Sequence, residues 1–122
     1  MESRLNKYVN FNTYRRKPGI YQVVLPIYHT DGDMIDLYLE ESPQGNEYIR
    51  INDFGMTFMR LSYTYKITKR FRQKITKQIA DNTDIQEEKE CFYLDSTLIT
   101  VNQNILSFAN RIETVLLSPF DK

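Results

Sequence analysis

With 122 residues the chain has the length of one domain, residues 1–122. It can bury roughly two thirds of its unfolded surface, so its core needs neither metal nor disulfide. Hydrophobic residues make up 41% and charged residues 26%, a balance that excludes a disordered chain. Sixteen basic and sixteen acidic residues cancel to +0, so no overall field draws the chain to nucleic acid or anionic lipid, and such binding needs a local patch.

Residues 2–11 predict a short helix with Leu5, Tyr8 and Val9 on one face. The polar, basic stretch from Asn10 to Pro18-Gly19 reads as a loop. Ile20 to Ile27 is rich in β-branched and aromatic residues, with Tyr21, Val23, Leu25 and Ile27 on one face and Pro26 at a terminus or edge. A hairpin turn over His29–Asp33 leads to Met34–Glu41. There Ile35, Leu37 and Leu39 alternate with outward Asp36, Tyr38 and Glu40. After the turn Ser42-Pro43-Gln44-Gly45-Asn46, a third strand runs from Glu47 to Ile51 with Ile49 and Ile51 inward. Residues 20–51 thus form an antiparallel three-stranded meander.

Beyond it, Met56, Met59 and Leu61 mark a short helix. A second helix is predicted from Thr68 to Ala80, its narrow apolar stripe made by Phe71, Ile75 and Ile79, with a stop at Asn82. Asp84 to Leu94 reads as a hairpin. The last helix covers Asn102 to Leu117, with a wide apolar face and Pro119 beyond its end. The expected fold is α+β: the meander plus a hairpin, with helices packed on one face over a core of residues 20–118. Leu37, Ile49, Phe71, Ile75, Phe108 and Ile112 should meet in that core.

One phrase carries a family likeness: Pro26-Ile27, Asp31-Gly32-Asp33, Ile35, Leu37-Tyr38, Gly45, Tyr48, Ile49, Ile51, then Asp53, Gly55, Thr57 and Leu61. It resembles a small prokaryotic and phage family of unknown function, over about residues 20–118. The resemblance implies an α+β fold and a phage or mobile-element context. It implies no activity.

The chemistry-bearing residues assemble no active site by spacing. Asp31, Asp33, Asp36 and Glu40 have the oxygen donors that Mg²⁺ takes. A restriction-type nuclease would add a Glu-x-Lys partner on the next strand, and Glu47-Tyr48-Ile49-Arg50 offers none, so Asp31-Gly32-Asp33 reads as turn chemistry. Asp53-Phe54-Gly55 matches a kinase magnesium tripeptide without the accompanying motifs. Its expected job is local: Asp53 caps the next helix and Gly55 takes positive φ. His29, the one histidine, lies beside a turn and is expected to be solvated. Cys91, the one cysteine, lies in an apolar run and is expected to be buried and inert. No catalytic residue, metal ligand or cofactor is assigned.

Charge segregation and tyrosine richness stand above background. Arg60 to Ile79 carries seven basic residues and no acid, and Asp81 to Asp95 then carries six acids against Lys89. Lys66, Lys69, Arg70, Lys74 and Lys77 form the candidate contact face, with Tyr63 and Tyr65 alongside. The bland alternative is a solvated face neutralised by the acidic hairpin. Nine tyrosines supply rigid, amphipathic contact area, and outward Tyr38 and Tyr48 are the next candidates. The leading expectation is a non-enzymatic protein from a phage or mobile element, contacting a host or defence protein. The alternatives are a nucleic-acid-binding regulator using residues 60–77 and, more weakly, a metal-dependent nuclease. Near-zero net charge also leaves homo-oligomers open. With no leader pattern and no 18-residue apolar run, a cytoplasmic location without membrane contact is expected.

Overall fold

The computed structural model describes residues 1–119. In chain order these form α1 (Glu2–Tyr8), β1 (Thr13–Lys17), β2 (Ile20–Val23), β3 (Leu37–Glu41), β4 (Tyr48–Asn52), α2 (Met56–Ser62), α3 (Lys69–Ala80), β5 (Gln86–Glu88), β6 (Cys91–Thr97) and α4 (Val101–Leu117). The strands make one antiparallel six-stranded sheet, ordered β1-β2-β3-β4-β6-β5. The fold is α+β.

Alternation along the strands decides which face is covered. Tyr21, Val23, Leu37, Leu39, Ile49, Ile51, Phe92 and Leu94 are buried and join Phe71, Ile75 and Ile79 of α3 and Val101, Ile105, Phe108 and Ile112 of α4 in one core. All six residues expected to meet are in it. The other face presents Tyr38, Glu40, Arg50, Tyr93 and Asp95, each partly exposed. Thr68 closes the start of α3, its hydroxyl accepting from the Phe71 N–H at 3.1 Å. Asn102 pins α1 against the start of α4. Its amide donates to the Tyr8 carbonyl and its oxygen accepts from the Asn10 N–H, both at 2.8 Å.

The sheet departs from the expected one in two places. The stretch from Asn10 to Gly19, expected as loop, contains β1, which pairs with β2 through Thr13↔Val23, Tyr14↔Gln22 and Arg15↔Tyr21. Pro18-Gly19 is the tight turn between them, with Gly19 at φ 80°. β1 is an edge strand exposed along most of its length, so it has no apolar period to betray it. The second departure concerns the hairpin β5–β6, which is not a separate unit. β6 lies against β4 in the register Ile51↔Leu94 and Arg50↔Asp95, so the hairpin completes the same sheet. β2 is also shorter than expected and β3 begins later. Between them the chain is held by the Ile35 N–H donating to the Ile27 carbonyl at 2.9 Å and by the Tyr28↔Met34 bridge.

Candidate functional site

The acidic turn is held from within the fold. The Asp33 N–H donates to Asp31 Oδ1 at 3.0 Å, and Gly32 sits at φ 93°. Arg60, from α2, spans both carboxylates, 3.0 Å from Asp31 and 2.9 Å from Asp33. The Asp33 N–H, joined by Arg60, holds the Asp31 carboxyl below the usual range. Burial works against the Arg60 charge, but the two aspartates more than offset it and hold its proton more firmly. Among the described residues, no group of three or more His, Cys, Asp or Glu side chains is placed to share a metal ion.

His29 corrects the expectation of a solvated ring. It is buried, and its Nδ1 lies 2.7 Å from Glu113 Oε1 on α4. The contact joins residues 84 apart, so nothing local in the sequence marks it. Cys91 is half-buried rather than buried. Burial, with the carboxylates of Asp53 and Glu40, pushes its thiol pKa up.

Asp53-Phe54-Gly55 is the structural junction the sequence anticipates. The Asp53 carboxylate is 1% exposed and accepts three backbone N–H bonds: Gly55 at 3.0 Å, Thr57 at 3.1 Å and Phe92 at 2.8 Å. One side chain therefore ties the end of β4 to the first turn of α2 and to the start of β6. Burial raises the Asp53 pKa, against the opposing pull of these donors. Gly55 takes φ 81°, and Phe54 before it takes φ 50°. The phrase Asp53-x-Gly55-x-Thr57 thus has a complete structural account.

The outward sheet face is polar and internally paired. Arg50 grips Asp95 with two 2.9 Å bonds, Ser42 donates to the same carboxylate at 2.8 Å, and the Arg50 guanidinium lies 4.1 Å over the Tyr93 ring. Burial opposes ionisation of Asp95, but the Arg50 and Ser42 bonds outweigh it and hold the carboxyl low. Tyr38 and Tyr48 both lie on this outward face. Tyr38 is half-buried against Phe54, ring centres 5.2 Å apart. The covered face lies between these tyrosines and the helices, so the fold does not join them to the basic cluster.

That cluster itself divides. Lys66 precedes α3. Arg70, Lys74 and Lys77 recur at i, i+4 and i+7 and share one flank, while Lys69 is turned about 100° from Arg70. Arg72 lies on the flank facing the hairpin and pairs with Glu90 at 2.9 Å. Among the described residues, Lys66, Lys69, Arg70 and Lys77 make no ion pair. Tyr63 is exposed, but Tyr65 packs on Phe71 at 5.4 Å and is not free to stack on a ligand.

Between α3 and α4 runs an open groove of about 790 Å³, lined by Lys74, Lys77, Asp81, Arg111, Val115 and Leu117 among others. Arg111 is the residue that sequence reasoning misses. It is the single cation of α4, two residues before Glu113, and only the packing of α4 on α3 brings it beside Lys77. Its guanidinium donates to the Gln78 carbonyl at 3.2 Å, which fixes it at the groove wall. The groove thus combines cations from two helices with the apolar side chains of Val115 and Leu117, the latter exposed.

No curated protein and no solved structure matches the chain. A family model does match, over residues 25–115, from the loop after β2 into the last turns of α4. The chain belongs to that family, described as a domain of unknown function, DUF1828.

Proposed function

We propose that this chain is a non-enzymatic binding protein of a phage or mobile element, acting in the cytoplasm by contact with a host or defence protein. The observation that carries the reading is the basic flank of α3, where Arg70, Lys74 and Lys77 stand with Arg111 of α4 beside an open groove. The other conspicuous polar groups are spent inside the fold: Arg60 on Asp31 and Asp33, Arg50 on Asp95, His29 on Glu113, and Asp53 on three backbone donors. The mobile-element context rests on the resemblance of the Asp31-Gly32-Asp33 and Asp53-x-Gly55-x-Thr57 phrase. Lys66 and Lys69 widen the contact. Tyr38 and Tyr48 form a separate surface, to be sought next if the basic one is silent.

Nucleic acid is the second reading, favoured by the same run of cations. Two of its seven basic residues, Arg60 and Arg72, are held by carboxylates, and Asp81 closes one end of the stripe, which favours a compact acidic protein over a long polyanion. Replacing Lys69, Arg70, Lys74 and Lys77 by Ala tests the reading. Binding should be lost while the melting temperature stays nearly unchanged, because exposed charges contribute little to folding. A protein partner survives nuclease treatment of the lysate. A DNA complex would not, and its affinity would fall with salt at a slope of roughly one per phosphate contact. Full binding by the quadruple variant would sink the proposal.

A further inference from the structure

We infer that the groove between α3 and α4 is the seat of an acidic amphipathic helix supplied by the partner. The inference rests on the protein-binding reading above and names the element that such a partner presents. Three features of the groove point to it. Its length is that of a helix contact. The lining residues run from Lys74 on α3 to Asp81 just past its end and from Arg111 on α4 to Ser118 just past its end, seven residue steps on each, or about 10 Å at 1.5 Å per residue. Two helical turns with anchors at i, i+3 or i+4, and i+7 fill that span, and two packed helices offer the ridges and groove that a third helix uses.

Its floor is apolar at the place where such anchors would rest. Val115 is buried in the floor, and Leu117 beside it is 58% exposed although it belongs to α4. An exposed leucine at the edge of a lined groove is apolar area that an anchoring side chain would cover. Its walls carry the complementary charge. Lys77 from one helix and Arg111 from the other flank the floor, and Arg111 is held in place by the Gln78 carbonyl. Arg70 extends the same stripe along α3 towards its N-terminal end. Among the described lining residues the sole acid is Asp81, at the opposite end of the α3 wall. That polarity orients the occupant: its acids face Lys77 and Arg111, and its neutral end lies towards Asp81. An extended strand is disfavoured, because the groove is walled by side chains of two helices and offers no unpaired strand edge to extend.

Panning a random 16-residue peptide display library against the purified protein tests this. Enriched peptides should read as amphipathic helices with acids on one flank and apolar residues at i, i+4 spacing. Their synthetic forms should shift the backbone amide signals of Lys77, Arg111, Thr114 and Leu117. The double variant Lys77→Glu/Arg111→Glu should weaken them about tenfold or more, with its melting temperature as the control for folding. Leu117→Asp should weaken them independently of charge reversal. Binders that enrich but map to the outward sheet face or the hairpin would overturn the groove assignment and leave a protein-binding role standing. A library that enriches nothing over the double variant, while a single-stranded oligonucleotide binds with steep salt dependence, would overturn both.

Discussion

Asp53 is the side chain whose removal should cost this fold most for its size. Its Oδ1 accepts from the Gly55 and Phe92 N–H groups and its Oδ2 from Thr57, and the Phe92 and Thr57 bonds are fully buried. Asp53→Ala leaves two buried donors without an acceptor, each worth about 1–3 kcal/mol. Part of that is offset because a buried carboxylate no longer has to be desolvated, so the net loss should be about 2–4 kcal/mol. At roughly 4 °C per kcal/mol for a domain of this size, the melting temperature should fall about 8–16 °C. The pH dependence adds a sharper check. Burial raises the Asp53 pKa above its ordinary 3.8, so the folded state holds this proton more tightly than the unfolded state. The stability that follows is fully present below the unfolded value and is lost as pH rises through the folded one. Asp53→Asn keeps the shape, loses one acceptor and does not titrate. The margin of the parent protein over this variant should therefore be widest in acid and narrow towards neutral pH, as read by urea melts followed by circular dichroism. A loss under about 1 kcal/mol for the alanine variant would refute the junction argument. A margin that widens with pH would show that the three donors outweigh burial.

Leu37→Ala and Phe108→Ala each empty a site that is 0% exposed and should cost about 2–5 kcal/mol, and an unmoved melting temperature for either would contradict the core described. Asp95 is held below its ordinary 3.8 by Arg50 and Ser42, so its contribution is present above that pH and lost as pH falls through the folded value. Asp95→Asn should flatten that acid limb, and an unchanged limb would deny the Arg50 contact its role. Because Arg60 occupies Asp31 and Asp33, adding Mg²⁺, Mn²⁺ or Ca²⁺ should leave the melting temperature where it is; a saturable rise would revive the nuclease reading.

Where a residue's partners lie nearby in sequence, or its burial follows a period, the fold was legible. The alternation of Leu37 and Leu39 and of Ile49 and Ile51 placed β3 and β4, the four-residue spacing of Phe71, Ile75 and Ile79 placed α3, and Asp53 with Gly55 announced the junction. β1 escaped because Thr13–Lys17 has no buried face, and an edge strand is held by backbone pairing that leaves no trace in hydropathy. The pairing of β6 with β4 escaped because it joins segments about 45 residues apart, with two helices and β5 between. The candidate site was half legible. The cationic run was plain, but which of its members share a flank needed helical geometry. Arg111, the member from α4, needed the packing of two helices, and the His29–Glu113 contact needed the packing of the turn before β3 on α4.

The net charge of +0 hides an uneven distribution, and the fold shows how it arises. Among the described residues, four arginines pair with carboxylates of the fold: Arg4 with Glu41, Arg50 with Asp95, Arg60 with Asp31 and Asp33, and Arg72 with Glu90. The planar guanidinium suits such forked contacts, and these pairs absorb many of the acids near the sheet. The cations of α3 are mostly lysines, whose flexible ammonium groups make poorer internal clamps. Arg72 marks the flank of α3 that faces the acidic hairpin, and Arg70 and Lys77 lie about 140–160° around the helix from it. An α-helix with its side chains is about 10 Å across, comparable to the screening length at 0.1 M salt. The hairpin acids are therefore largely screened from the opposite flank, and the zero total does not neutralise it. Binding and folding should then respond differently to salt. Raising salt from about 0.05 to 0.5 M should leave the melting temperature within a few degrees, since the exposed cations contribute little to folding. Over the same range, any acidic ligand seated on Arg70, Lys77 and Arg111 should lose affinity, and it should lose less on the Lys77→Glu/Arg111→Glu background. Equal salt sensitivity in both backgrounds, measured by titration calorimetry, would show that the flank's field plays no part in recognition.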